Sequence, residues 1–138
     1  MEVTLKLASR PGIPNRNGVI YSKETFEKML NSDYTKELLD NGWLYITKGD
    51  PVIRNQKFCI SMEDCIGKVK EWKDSDIVAD IIKSDYVTLL KELIKQNKIE
   101  IGMNYYCRLE KRKDNLTEAI AMKIDSMSIV NKDTKMYL

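Results

Sequence analysis

The chain has 138 residues, 43% of them hydrophobic and 32% charged, and its 23 basic and 21 acidic residues leave a formal net charge of +2. This length is typical of one domain over residues 1–138, and the composition excludes an intrinsically disordered chain. The small net charge argues against nucleic-acid binding, which needs a clustered surplus of Lys and Arg to contact phosphates.

Cysteine and histidine usage limits the metal chemistry that the chain could support. It has three cysteines, none of them in a Cys-x-x-Cys pair, and no histidine. We therefore predict no structural zinc site and no other cofactor. An odd cysteine count without a secretory signal indicates reduced thiols in a cytoplasm. No apolar run approaches the roughly 18 residues that suggest a membrane-spanning helix.

The first half of the chain predicts one strand, two helices and a second strand. Apolar and polar residues alternate at the start, as in a half-buried strand. Ser22 can cap the first helix, and Gly42 can end the second. The predicted elements are a strand at residues 2–8, a helix from Lys23, a helix at 34–41, a strand at 43–47 and a loop at 48–57.

The second half predicts two hairpins separated by a helix. Ser84 or Asp85 can cap that helix, and a bulge is expected in the strand before it. The predicted elements are strands at 65–72 and 77–82, a helix at 86–97, a strand at 99–111, and one long strand or two shorter ones at 116–130. The whole pattern indicates an α+β fold: a mostly antiparallel sheet or small β-barrel flanked by two or three helices.

The most specific segment runs from Pro14 to Phe26. It contains an Asn15-Arg16-Asn17-Gly18 turn, then Tyr21, then the first helix. This segment resembles the start of the prohead proteases of tailed phages, which are similar in fold to the herpesvirus capsid proteases. Stretches similar to that family follow in the same order at residues 65–69, 77–81, 89–94, 98–102 and 124–130.

We interpret the turn in this segment as structural. Asn and Gly both tolerate the positive φ that a tight turn needs. Arg16 is expected to tether the loop to a carboxylate. The turn, together with Tyr21, would then identify the fold and not an active site.

The resemblance implies a serine protease site that this chain has lost. The positions that correspond to the family's histidine, serine and third polar residue are Gly49, Asp50, Glu100, Gly102, Asp125 and Ser128. A serine hydroxyl needs an adjacent base to become a nucleophile. The chain lacks histidine altogether, and it has no serine at either nucleophile position. We therefore expect no protease activity.

The resemblance then implies a non-catalytic phage protein that acts by protein–protein binding. Its expected partners are capsid, scaffold or other virion proteins, and it is expected to form a homo-oligomer. The expected location is the host cytoplasm during assembly, with the virion as a second location. A partner strand could add to the sheet edge at residues 99–109, or at the loop before Cys65.

Two other classes of function stay open. One is an active phage hydrolase with relocated residues, such as Ser126 or Ser128 with a lysine base, which would have to be desolvated to act at neutral pH. The other is a phage accessory protein that binds a host factor or a small ligand.

Two clusters of charge each have a functional and a structural interpretation. Asp74, Asp76 and Asp80 could hold a hard cation, and the basic run at residues 108–113 could contact nucleic acid. We favour a solvated hairpin turn for the aspartates and a charged guard on a strand edge for the basic run.

Four further residues raise similar alternatives. Asp50 and Glu100 could form a carboxylate pair for acid/base chemistry, although we favour separate roles. Cys107 is predicted to be a buried, inert thiol, and Trp43 is predicted to lie in the core.

Overall fold

The computed structural model describes all 138 residues, from Met1 to Leu138. Its strands are β1 (Glu2–Lys6), β2 (Val19–Ile20), β3 (Tyr45–Thr47), β4 (Val52–Arg54), β5 (Lys57–Cys59), β6 (Cys65–Lys73), β7 (Asp76–Ile81), β8 (Ile99–Lys111) and β9 (Thr117–Asn131). Its helices are α1 (Lys23–Leu30), α2 (Asp33–Asn41) and α3 (Ser84–Lys95). Every helix is too short and too polar to cross a membrane.

Seven strands form one mixed sheet that curls until its ends meet. The order is β1-β7-β6-β3-β9, with β2 beside another part of β9 and β8 along the opposite edge of β9. β2 and β3 run parallel to β9, and the other pairs are antiparallel. A single parallel bridge from Leu7 to Ile101 joins β1 to β8 and closes the barrel. The predicted α+β fold is confirmed.

One cluster of 23 buried residues forms the core. β1 shows how the sequence builds it, because Val3 and Leu5 are buried while the residues that alternate with them face solvent. α1 adds Phe26, whose ring centroid lies 6.0 Å from that of Tyr21 and 6.0 Å from that of Trp72. These contacts hold the segment after the Asn-Gly turn against the barrel.

The predicted caps agree with the structure for α1 and α2 but not for α3. The Ser22 hydroxyl accepts a hydrogen bond from the Thr25 amide, and Gly42 ends α2 in the left-handed conformation, so both predictions are confirmed. The prediction for α3 is wrong, because the cap position is Lys83 and no side chain caps the helix. The Lys83 amide donates to the Ile66 carbonyl, which fixes the chain there and starts the helix one residue too early for Ser84 to cap it.

The predicted loop at residues 48–57 instead contains most of a short hairpin made by β4 and β5. Asn55 and Gln56 both have positive φ, as a two-residue hairpin turn requires. A two-stranded hairpin is marginally stable alone. Here the Tyr106 hydroxyl accepts a hydrogen bond from the Phe58 amide at 2.8 Å, and the two rings meet edge to face.

The long strands match their predictions, but two burial predictions are wrong. β6 has its register shift between Val69 and Glu71, as the expected bulge requires, and β9 is one continuous strand. Cys107 is exposed, because it lies where β8 extends beyond the barrel. Trp43 is 51% exposed, because it lies in the short connection between the left-handed turn at Gly42 and the start of β3.

Candidate functional site

Three strands meet where the family resemblance places the expected catalytic positions. β9 lies in the middle, with β3 parallel to it on one side and β8 antiparallel on the other. Ser128 is the register partner of both Thr47 and Gly102, and Asn104 lies opposite Ser126. The three segments expected to carry the triad therefore do converge.

Four buried polar side chains fill this meeting point, and we call them the polar cluster: Thr47, Asn104, Ser126 and Ser128. The hydroxyls of Thr47 and Ser128 share a hydrogen bond of 3.0 Å, and the Thr47 hydroxyl is also 3.4 Å from the Met127 carbonyl. The Asn104 amide donates to Ser128 at 2.9 Å and to Ser126 at 3.2 Å. Their mutual bonds satisfy groups that would otherwise be costly to bury.

The polar cluster contains hydroxyls but no base. An asparagine amide has no proton-accepting nitrogen, and hydroxyls do not ionise near neutral pH. No lysine hydrogen-bonds to any member of the polar cluster. The Asp125 carboxyl is a hydrogen-bond partner of Ser126. The arrangement can therefore orient hydroxyls and exclude water, but it holds no histidine, the base that a serine nucleophile uses in the triad.

Two of these four residues were not predicted from the sequence, whereas Ser126 and Ser128 were named there as candidate nucleophiles. Thr47 and Asn104 look like ordinary polar positions in strands. Thr47 follows the fully buried Ile46, which is a weak local signal, but Asn104 lies between the half-buried residues Met103 and Tyr105. Their grouping depends on strand pairing over long sequence separations, which no local pattern displays.

The expected catalytic positions Gly49, Asp50 and Glu100 are placed separately. Gly49 has a positive φ, and its amide donates to the Leu138 carbonyl at 3.0 Å. Asp50 lines a small cavity that Thr47 and Ser126 also line. Glu100 is buried and forms an ion pair with Lys135. Asp50 and Glu100 make no hydrogen bond to each other, so each carboxylate has its own surroundings.

Asp125 is the extra residue at a bulge in β9. Asn104 pairs with Ser126 and Tyr105 pairs with Ile124, which leaves Asp125 unpaired in the ladder. Burial raises the pKa of the Asp125 carboxyl, and its Oδ2 atom has no hydrogen-bond partner. Burial, and next the nearby charge of Asp125, raise the pKa of Tyr34 on α2. A hydrogen bond with Ser126 partly offsets the effect of burial on the Asp125 pKa, so Asp125 lies between the polar cluster and α2.

A cavity of about 360 Å³, which we call the groove, opens beside the polar cluster. One wall is the loop between Ala8 and Asn17, and the other is the part of β8 from Gly102 to Tyr105. Val130, Lys135 and Tyr137 line it as well. Asn104 thus belongs both to the polar cluster and to the lining of the groove.

The Asn-Arg-Asn-Gly turn shapes the loop wall of the groove. The Asn15 side chain accepts hydrogen bonds from the amides of Asn17 and Val19 at 2.9 and 3.0 Å, and Gly18 has a positive φ. The Tyr21 hydroxyl is 2.8 Å from the Ser9 hydroxyl. Arg16 forms no ion pair, so the predicted tether to a carboxylate is wrong.

The last residues of the chain complete the groove. Tyr137 bridges to Val130, and the Leu138 amide donates to the Ile129 carbonyl at 3.0 Å. Burial raises the pKa of Tyr137, while the charge of Arg16 lowers it and that of Asp50 raises it. Tyr137 therefore lies near both Arg16 in the loop wall and Asp50 beside the polar cluster.

The remaining charged candidates lie away from the groove. Asp76 pairs with Lys6, and Asp80 pairs with the terminal amino group of Met1 at 3.0 Å. In the basic run, Arg112 pairs with Asp114 at 3.0 Å and with Glu118 at 3.5 Å. Each of these interactions is a surface ion pair that joins neighbouring strands or a turn.

Comparison with known proteins identifies a shared fold. No protein-family model matches the sequence, and no curated protein matches it. Among solved structures, the bacteriophage T4 capsid assembly protease gp21 is similar, with a TM-score of 0.68 and 17% sequence identity over 94% of this chain and 80% of that one. The chain therefore has a prohead-protease-like fold.

Proposed function

We propose that the chain is a non-catalytic bacteriophage protein that binds other proteins during capsid assembly. The fold that it shares with a bacteriophage capsid assembly protease supports a role in capsid assembly. Under this proposal it works in the host cytoplasm during assembly and can remain in the virion, with capsid or scaffold proteins as partners.

One observation carries the non-catalytic part of the proposal: the composition of the polar cluster. Ser126 and Ser128 are buried, and both receive hydrogen bonds from Asn104, a neutral amide. Acyl transfer by serine requires a base within hydrogen-bond reach of the hydroxyl, and in the serine triad that base is a histidine, which this chain lacks. The ionisable side chain that bonds to Ser126 is the carboxyl of Asp125. This also counts against relocated serine–lysine chemistry, because no lysine hydrogen-bonds to either serine.

The groove is the proposed binding site. The Ala8 amide donates to the Ile101 carbonyl, which shows that the odd-numbered residues of β8 turn their backbone groups away from β9. Met103 and Tyr105 therefore present backbone donors and acceptors along the wall of the groove. An extended segment of a partner can add there as a strand. The loop around Arg16 would cover its other side.

The test combines an activity assay with a binding assay. The full chain is incubated with the capsid and scaffold proteins encoded beside it, and it is treated separately with a serine-reactive fluorophosphonate. We expect no cleavage and no labelling. Turnover that the reagent blocks would overturn the proposal.

Binding to the same proteins is then measured for Arg16→Glu and for Lys113→Glu. Both substitutions reverse one exposed positive charge, but only Arg16 lines the groove. We expect Arg16→Glu to weaken binding about tenfold or more, because the charge reversal alters the wall that holds the partner. Lys113→Glu should have little effect. Equal losses in both variants would show that the groove is not the site.

A further inference from the structure

The outer half of β8, residues 107–111, is an unpaired strand edge. β8 pairs with β9 along one edge, and its other edge meets β1 only at Ile101. All five residues of the outer half are exposed. A long open edge of this kind is a template for pairing with another strand.

The direction of the free backbone groups follows from the barrel. The Ile101 carbonyl faces β1, and both register shifts between β8 and β9 add their extra residue to β9, so the alternation along β8 is unbroken. The N–H and C=O groups of Cys107, Leu109 and Lys111 therefore all point away from β9. They are spaced to form hydrogen-bonded pairs with an antiparallel strand.

The side chains of this edge are complementary in charge to those of the same edge in a second copy of the chain. If two copies pair as antiparallel strands with Leu109 opposite Leu109, then Arg108 of each copy lies opposite Glu110 of the other. These two pairs are of the non-hydrogen-bonded kind, in which facing side chains are closest. Within one chain neither Arg108 nor Glu110 forms an ion pair, so both charges are available.

Another antiparallel register leaves the charged side chains of this edge without ion-pair partners. A two-fold axis at Cys107 would place Arg108 opposite Tyr106 and Glu110 opposite Asn104, which removes both ion pairs. It would also bring the second strand toward Tyr105, where the loop wall of the groove stands.

We propose that two copies of this chain associate through the outer halves of β8, with Leu109 on the two-fold axis. The contact is isologous, so it makes a closed dimer. It goes beyond the proposed binding function and does not depend on it, because the groove ends at Tyr105 and the pairing edge begins at Cys107.

The test is sedimentation velocity of the full chain over a concentration series. Arg108→Glu and Glu110→Arg each place two like-charged pairs across the dimer, and opposite charges on facing strands are stabilising whereas like charges are not. We expect each single variant to weaken the dimer about tenfold or more. The double variant R108E/E110R restores both pairs and should return to within about threefold of the wild type.

A mixture sharpens the test. Each single variant repels itself, but Arg108→Glu and Glu110→Arg are complementary to one another in the proposed register, so an equimolar mixture should form a dimer. Lys113→Glu changes charge beyond the strand and should leave self-association unchanged.

Circular dichroism of every variant should match that of the wild type, because the altered side chains are exposed. A wild type that stays monomeric at every concentration would overturn the proposal. So would single variants that dimerise as well as the wild type, or a double variant and a mixture that both fail to recover.

Discussion

The two halves of β8 pair with the same neighbour but have opposite surroundings. In the inner half, Ile101 is fully buried between β1 and β9, and Asn104 belongs to the polar cluster. In the outer half, Leu109 is 52% exposed although it is paired in register with Ala119 of the same strand. Strand pairing alone therefore does not determine burial. What differs is whether a third element covers the ladder.

The largest expected effect comes from removing an apolar side chain in each half. Ile101→Ala should lower the free energy of unfolding by about 2–5 kcal/mol, because it removes a buried side chain and leaves a cavity at the closure of the barrel. Leu109→Ala should change it by less than about 0.5 kcal/mol in the monomer. Urea denaturation at low protein concentration measures both. Similar losses would show that the outer half is covered in solution.

A smaller effect is expected from the polar cluster. Asn104→Ala removes the donor to Ser126 and Ser128 and leaves buried hydroxyls with fewer partners. We expect a loss of about 1–3 kcal/mol in the free energy of unfolding. The exposed amide Gln96→Ala is the control and should change stability by about 0.5 kcal/mol or less. No loss in Asn104→Ala would mean that water enters the polar cluster freely.

The smallest effect is expected at the bulge between the two halves. Burial raises the pKa of Asp125, so the charged carboxylate is less stable in the folded chain than in the unfolded one. The folded state therefore loses stability as pH rises through the pKa of the folded form, and it regains that stability below the ordinary value of 3.8. Asp125→Asn should raise the melting temperature at neutral pH.

That gain should shrink as the pH falls through the raised pKa of the folded form and vanish below the ordinary value of 3.8, because both side chains are then neutral. Differential scanning fluorimetry over a pH series measures it. Asp133→Asn, at an exposed carboxyl in the turn after β9, should show no comparable trend. A lower melting temperature for Asp125→Asn at neutral pH would contradict the assigned cause of the pKa shift.

Much of the fold could be predicted from local patterns. The bounds predicted for β8 agree with the structure, and the irregular spacing of apolar residues in β6 correctly indicated a bulge. The hairpin of β4 and β5 escaped prediction, because it is short and has Asn55-Gln56 where Asn-Gly would be the usual signal. Its anchor is Tyr106, about 50 residues further along the chain.

The candidate site was predicted less completely. The family resemblance led to the correct three strands, because the fold is shared, and Ser128 does belong to the polar cluster. It did not identify Thr47 or Asn104, because their roles arise from pairing across β9. Cys107 was wrongly predicted to be buried for a related reason: apolar neighbours in sequence do not show where the barrel ends.

The closure of the barrel at Leu7 and Ile101 has a mechanical consequence. β6 and β7 are joined by a ladder of paired residues, so separating them requires many hydrogen bonds to break together. The junction of β1 and β8 is one bridge, and the amide of Ala8 supplies its bond to Ile101. The same Ala8 lines the groove. We therefore expect the barrel to open first along the wall that a partner would touch, which would widen the groove while the long ladder between β6 and β7 stays intact.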